Sequence, residues 1–213
     1  RSRPEHLEPE VLRADVAGPV LQLLGWVETP EQFSWLTPPS LESILQARQL
    51  LESLGAVCKN TVTPMGKLLL RFPIHPRLAR FLVESRQLGI PAAGAAAAAM
   101  LSERDLFLKP VQTSRPHRLT RGQTPQAARR WECDLTARLH VWFRYLQDGN
   151  AETELGTINQ SAARNLWRVS QQFQQIVEQE LGPTQEAALE SQLPQALLAA
   201  FPDRLAKRRS ASG

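Results

Sequence analysis

The chain has 213 residues, 42% of them hydrophobic and 22% charged, and carries a formal net charge of +4. That length suits one large or two small domains, and the balance is that of a globular chain. No apolar run approaches the roughly 20 residues that cross a bilayer; the longest run of small residues, Ala92 to Met100, is alanine-rich and too short, so no membrane partner is expected. The opening "RSRPEHLEPE" has no leader pattern, and the first methionine is Met65. We read the chain as a processed product or as a piece cut from a longer protein. Cys58 and Cys133 stand in no metal-ligand spacing, which suits a reducing cytoplasm. The positive charge is concentrated in Arg115, His117, Arg118, Arg121, Arg129 and Arg130, and again in Arg204, Lys207, Arg208 and Arg209. Such clusters suit an acidic partner, nucleic acid first, with a solubilising surface as the plain alternative.

The periodicity predicts helix almost throughout. After Pro9, Val11, Leu12, Val16, Val20, Leu21 and Leu24 recur at spacings of three and four, and Gly25 ends the pattern. "TPEQF" and "TPPS" open two further segments, Thr before Pro being a helix-start signal. From Leu41 to Leu54 the residues Leu41, Ile44, Leu45, Ala47, Leu51 and Leu54 form one stripe. "AVCKNTVTP" is the sole predicted strand pair, with a tight turn at Lys59-Asn60; Thr63-Pro64 restarts a helix. Three helices and then a hairpin is the order of a winged helix. Past Pro76, Leu78, Phe81 and Leu82 share a face, with Arg77, Arg80 and Glu84 opposite and facing outward. Pro91 opens an alanine-rich helix. Leu108 to Gln126 loses periodicity and gains Pro, Thr and Arg, which predicts a mobile loop. Helices follow from about Cys133 to Leu146, from about Ile158 to Glu180, and from near Pro183 to about Pro202.

Catalytic motifs are missing. Gly66-Lys67 would need preceding glycines and a following Ser or Thr to cradle phosphate and Mg²⁺; Leu68 follows, and Thr61 stands where the first Gly belongs. His6, His75, His117 and His140 are scattered, and His75 between Pro73 and Pro76 reads as structural. No cofactor or metal is expected in this chain. The predicted recognition helix of the winged helix carries Glu42, Arg48 and Glu52 and is net negative, which disfavours DNA reading. The 158–180 helix is the best binding candidate. Ala162, Leu166, Val169, Phe173, Ile176 and Val177 form its apolar face, and Gln160, Arg164, Arg168, Gln171 and Gln175 lie opposite. A line of cations and amides suits a phosphate backbone, and a plain solvated face is the alternative. Tryptophans can stack bases, but Trp142 and Trp167 sit beside apolar faces and are assigned to the core.

"RPEHLEPEVLRADVAGPVLQLLGW", "LTPPSLESILQARQLLESLGAV", "VTPMGKLLLRFPIHPRLARFLVES", "LSERD" and "AAFPDRLAKRR" occur in this order. Together they resemble the region that follows the two motor domains of DEAH-box helicases, the bacterial HrpB type above all. The resemblance covers nearly the whole chain and is weakest from Leu108 to Arg130. It implies a mainly α fold: a connector over 1–10, a degenerate winged helix over 11–74, a ratchet-like helical domain over 75–195 with its mobile loop near 108–130, and from 196 the start of a further C-terminal region. It also implies a non-catalytic accessory module that packs on the motor domains of its own chain and lines a path for single-stranded nucleic acid, RNA or DNA. ATP and Mg²⁺ would belong to the motors. The candidate contacts are Arg164, Arg168, Gln171, Gln175, Arg77, Arg80, Lys207, Arg208 and Arg209. A stand-alone winged-helix DNA-binding regulator and a helical protein-interaction platform are the alternatives.

Overall fold

The computed structural model describes residues 9–26, 29–103, 105–108, 133–184 and 189–206. By compactness the chain divides into two units, one of residues 1–84 with 195–213 and one of residues 85–194. The fold is mainly helical. Most of the predicted mobile stretch lies outside the described residues, as do Lys207, Arg208 and Arg209.

The first unit opens with a 3-10 turn, Glu10–Leu12, and then α1, Ala17–Gly25. The single helix expected from Pro9 is therefore broken. Asp15 breaks it: its Oδ1 accepts the Ala17 N–H at 2.8 Å and starts a new helix there. "TPEQF" is not helical either; Thr29 to Phe33 forms turns, fixed where Trp35 Nε1–H donates to the Pro30 carbonyl at 2.8 Å. Helix α2, Leu41–Ser53, is capped by Ser40, whose Oγ accepts the Ser43 N–H at 3.0 Å. Ile44, Ala47, Leu50, Leu51 and Leu54 bury, whereas Leu41 and Leu45, expected in that stripe, are exposed.

Strands β1, Val57–Cys58, and β2, Thr61–Val62, pair antiparallel with Val57 opposite Val62 and Cys58 opposite Thr61. Lys59 and Asn60 both take positive φ, 48° and 63°, which is the two-residue turn that matches strand twist. Thr63 caps α3, Pro64–Leu69, through its Oγ1 and the Gly66 N–H at 3.0 Å. Gly66 is obligatory for packing, since a Cβ there would lie 2.1 Å from the Ala56 carbonyl oxygen. The glycine that resembled part of a phosphate loop thus seats α3 against the hairpin.

Helix α4, Pro76–Gln87, begins at the two-proline stretch. His75 is its cap. Nδ1 accepts the Arg77 N–H at 3.2 Å, the His75 carbonyl takes the Leu78 and Ala79 N–H groups, and Nε2 faces Asp15 Oδ2 at 3.3 Å. The structural reading of His75 holds, and Pro76 supplies a preset first helical residue.

The second unit is built on helix α5, Pro91–Ser102, helix α6, Asp134–Asp148, and helix α7, Gln160–Leu181. Ala93, Gly94 and Ala95 to Ala99 are all buried, and this small-residue helix lies along α7. Gly94 lets it approach Ser85, whose Cβ would be 2.3 Å from any Cβ at position 94. A second hairpin, absent from the sequence expectation, links α6 to α7. Strand β3, Glu152–Thr153, pairs with β4, Gly156–Thr157, and Phe107 bridges to Ile158 just beyond it. Helix α8, Leu189–Ala200, carries Pro194 within it and is followed by a 3-10 turn, Pro202–Arg204. Among the described residues no helix is long and apolar enough to cross a membrane.

Candidate nucleic-acid interface

The candidate interface is the outer face of α7. Its start is fixed by Asn159, whose Oδ1 accepts the Ser161 and Ala162 N–H groups at 3.0 and 3.3 Å. Its end is fixed by Gly182 at φ 72° and by Arg86, which donates to the Gly182 and Pro183 carbonyls at 3.3 and 2.9 Å. Between these, Ala163, Leu166, Ser170, Phe173 and Val177 bury. Leu166, Phe173 and Val177 bury as expected, while Ala163 and Ser170 bury in place of Ala162, Val169 and Ile176, which are half-buried. Gln160, Arg164, Arg168, Gln171 and Gln175 are all exposed.

The two arginines differ in support. Arg168 Nη2 donates to Asn165 Oδ1 at 2.5 Å, and the Asn165 amide in turn donates to Glu103 Oε2 at 2.6 Å. Only one orientation of the Asn165 amide satisfies both bonds, so Glu103 fixes Asn165 and Asn165 fixes the Arg168 guanidinium. Neither Arg164 nor Arg168 pairs with a carboxylate among the described residues. Both are exposed and so accessible to an outside anion.

Beside this line lies a cleft of about 850 Å³, lined by residues of α6 and α7 that include Trp142, Tyr145, Leu146, Arg164, Trp167 and Arg168. Trp142 is the floor, 1% exposed, and stacks on Tyr145 with centroids 6.1 Å apart. Trp167, which the sequence assigned to the core, is 51% exposed. At about 100° per residue Trp167 lies about 80° from the centre of the buried stripe, at its edge and not within it. Gly149, at φ 70°, ends α6 beside the cleft. The sequence signal that could have found the cleft was the shared periodicity of Trp142 and Trp167 with exposed neighbours on both helices.

Arg77 and Arg80 are not outward-facing. Arg77 donates to both carboxylate oxygens of Asp203 at 2.6 and 2.8 Å and to the Ala200 carbonyl at 3.2 Å, and it lies 5.4 Å from the Phe201 ring centroid. It ties the "AAFPDR" segment to α4 within the first unit. The Arg77 hydrogen bonds hold the Asp203 carboxyl below the usual carboxylate range. Arg80 pairs with Glu84 at 2.7 Å, one helical turn on. In α2, Arg48 is clamped by Glu31 at 3.0 and 2.8 Å and by Asn60 Oδ1 at 2.6 Å; its hydrogen bond lowers the Glu31 pKa.

Residues 75–140 match the family described as helicase associated domain (HA2), ratchet-like. The chain has the sequence and fold of a helicase accessory region. Within that class it is similar to the ATP-dependent RNA helicase HrpB of Escherichia coli (strain K12), 36% identical over 97 residues that are 45% of this chain and 12% of that protein. The probable ATP-dependent RNA helicase DHX35 of Homo sapiens is 32% identical over 111 residues, 50% of this chain and 16% of its own length. The crystal structure of the E. coli DExH-box NTPase HrpB superposes with a TM-score of 0.61 at 27% identity, over 96% of this chain and 20% of that one. The chain thus spans a small fraction of the helicases it matches.

Proposed function

We propose that this chain is a non-catalytic accessory module of an ATP-dependent, HrpB-like DEAH-box helicase, and that it guides a single strand of nucleic acid along the outer face of α7. The observation that carries the reading is the exposed line of Arg164, Arg168, Gln171 and Gln175, with both cations unpaired by carboxylates among the described residues. Cations and amides in one row meet phosphates without reading bases. Lys207, Arg208 and Arg209 form a second candidate path. The motor domains of the same protein would supply ATP and Mg²⁺ chemistry, and this chain alone would not turn over ATP. In the first unit Trp26, Leu36 and Leu41 are well exposed, which favours a protein neighbour such as a motor domain. That unit is a degenerate winged helix in this reading. A stand-alone DNA reader is disfavoured because Arg48, the only basic residue of α2, is held by Glu31 and Asn60. Two free thiols, Cys58 and Cys133, suit the cytoplasm.

The test is titration of the chain with poly-U and poly-dT at several salt concentrations. Arg164→Ala with Arg168→Ala should weaken both polymers alike. Unchanged affinity would return the row to a solvated face, and loss only on changing Lys207, Arg208 and Arg209 would move the path to the C-terminal end.

A further inference from the structure

The exposed indole of Trp167 calls for an explanation that the phosphate row does not give. A helix that buries Leu166 and Phe173 leaves the largest of side chains 51% exposed at its edge, and across the cleft Leu146 is 46% exposed. Leaving this much apolar surface in water is unfavourable, and the surface is concave. Its floor is aromatic, the buried Trp142 ring packed on Tyr145. Its rim holds Arg164 and Arg168. An apolar, aromatic recess bordered by two cations without carboxylate partners among the described residues is complementary to one chemical object above others: a flat ring carried on a polyanion.

We infer that the cleft between α6 and α7 is a base-stacking subsite, in which one unpaired nucleobase lies against Trp167 while its neighbouring phosphates meet Arg164 and Arg168. The inference rests on the reading of α7 as a strand-binding face and adds to it a second, uncharged component. Arg164 is three residues before Trp167 and so shares its side of the helix, while Arg168 points about 100° around toward the exposed row. The strand therefore turns a base inward from a backbone that runs along the row. The about 850 Å³ of the cleft falls within the roughly 300–1,000 Å³ usual for ligand sites. Every base has a π face, so the subsite takes any of them. Duplex bases are already stacked on their neighbours, so it selects unpaired strands. An apolar peptide side chain would also fill the recess, but it would leave both arginines unmatched.

The two components separate in solution. Phosphate contacts set the slope of log affinity against log salt, and stacking shifts affinity equally at every salt concentration. The experiment compares oligo-dT with an abasic deoxyribose-phosphate strand of equal length and charge. The 213-residue chain should bind oligo-dT about 5- to 150-fold more tightly, the range expected for stacking of one base on an aromatic side chain, with equal salt slopes. Trp167→Leu should abolish that gap and leave the slope unchanged, and Trp167→Phe should retain most of it. Equal binding of the two strands by the unmodified chain, which needs no variant to fold, overturns the proposal, as does an undiminished gap in Trp167→Leu. Should the gap be absent while Arg164→Ala with Arg168→Ala still lowers the slope, the subsite fails and the phosphate row stands. A gap that survives alongside an unaltered slope in the arginine variant overturns the proposal as stated, because the phosphates beside the stacked base then do not meet Arg164 and Arg168.

Discussion

The arginines of the first unit and those of α7 have the same chemistry and opposite settings. Arg48 and Arg77 are each gripped by a carboxylate through two hydrogen bonds, with side chains 13% and 14% exposed. Arg164 and Arg168 stand on an exposed helix face, and among the described residues Arg168 donates to the neutral amide of Asn165. A guanidinium whose donors are used on a carboxylate has its charge already compensated. One that is unpaired, or steadied by a neutral amide, keeps its charge available. In the proposed reading the first group contributes to stability and the second to binding.

The largest effect that could break this division is on stability. Arg77→Ala removes a bidentate pair, a carbonyl contact and the packing on Phe201. It should cost about 1.5–2 kcal/mol, the lower part of the range for hydrogen bonds to charged groups because Asp203 is partly exposed. Urea denaturation measures it, and single-strand affinity should stay unchanged. Arg48→Ala should cost about 1 kcal/mol, since its partner Glu31 is also partly in water. A loss of binding without a loss of stability in either variant would reverse the assignment.

A smaller effect follows from pH. Asp203 and Glu31 have folded pKa values below their unfolded ones, chiefly because Arg77 and Arg48 donate to them. Their ionised forms are thus favoured by folding. The stability they add is fully present above the ordinary carboxylate values of about 4 and is lost as pH falls through the depressed values. Solvent screening keeps each contribution under about 1 kcal/mol. Asp203→Asn should flatten the Asp203 part of that acid limb in melts recorded across pH 2–5. The smallest effect is expected on α7: Arg164→Ala and Arg168→Ala should each change stability by less than about 0.5 kcal/mol.

What was legible in the sequence followed local rules. Lys59-Asn60 fixed the first hairpin because a two-residue turn needs residues that tolerate positive φ. Leu166, Phe173 and Val177 of the α7 stripe could be read because 22 residues repeat a single period. What was hidden depended on partners distant in sequence. Nothing near Arg77 in the chain announces Asp203, 126 residues away, so an exposed guess was natural and wrong. The second hairpin was missed because its strands have two residues each and no apolar alternation. Trp167 was misassigned because it neighbours buried Leu166 in sequence but lies about 100° from it around the helix, at the rim of the cleft and not in the core.

The central claim is that cationic binding runs through α7 and not through the clamped arginines. The direct measurement is the salt dependence of poly-U affinity for the unmodified chain, for Arg77→Ala, and for Arg164→Ala combined with Arg168→Ala. The account predicts that the double variant lowers the slope of log affinity against log salt by about 1.4, or about 0.7 for each phosphate contact on a single strand, while Arg77→Ala leaves it unaltered. A slope reduced by Arg77→Ala and untouched by the double variant would contradict it.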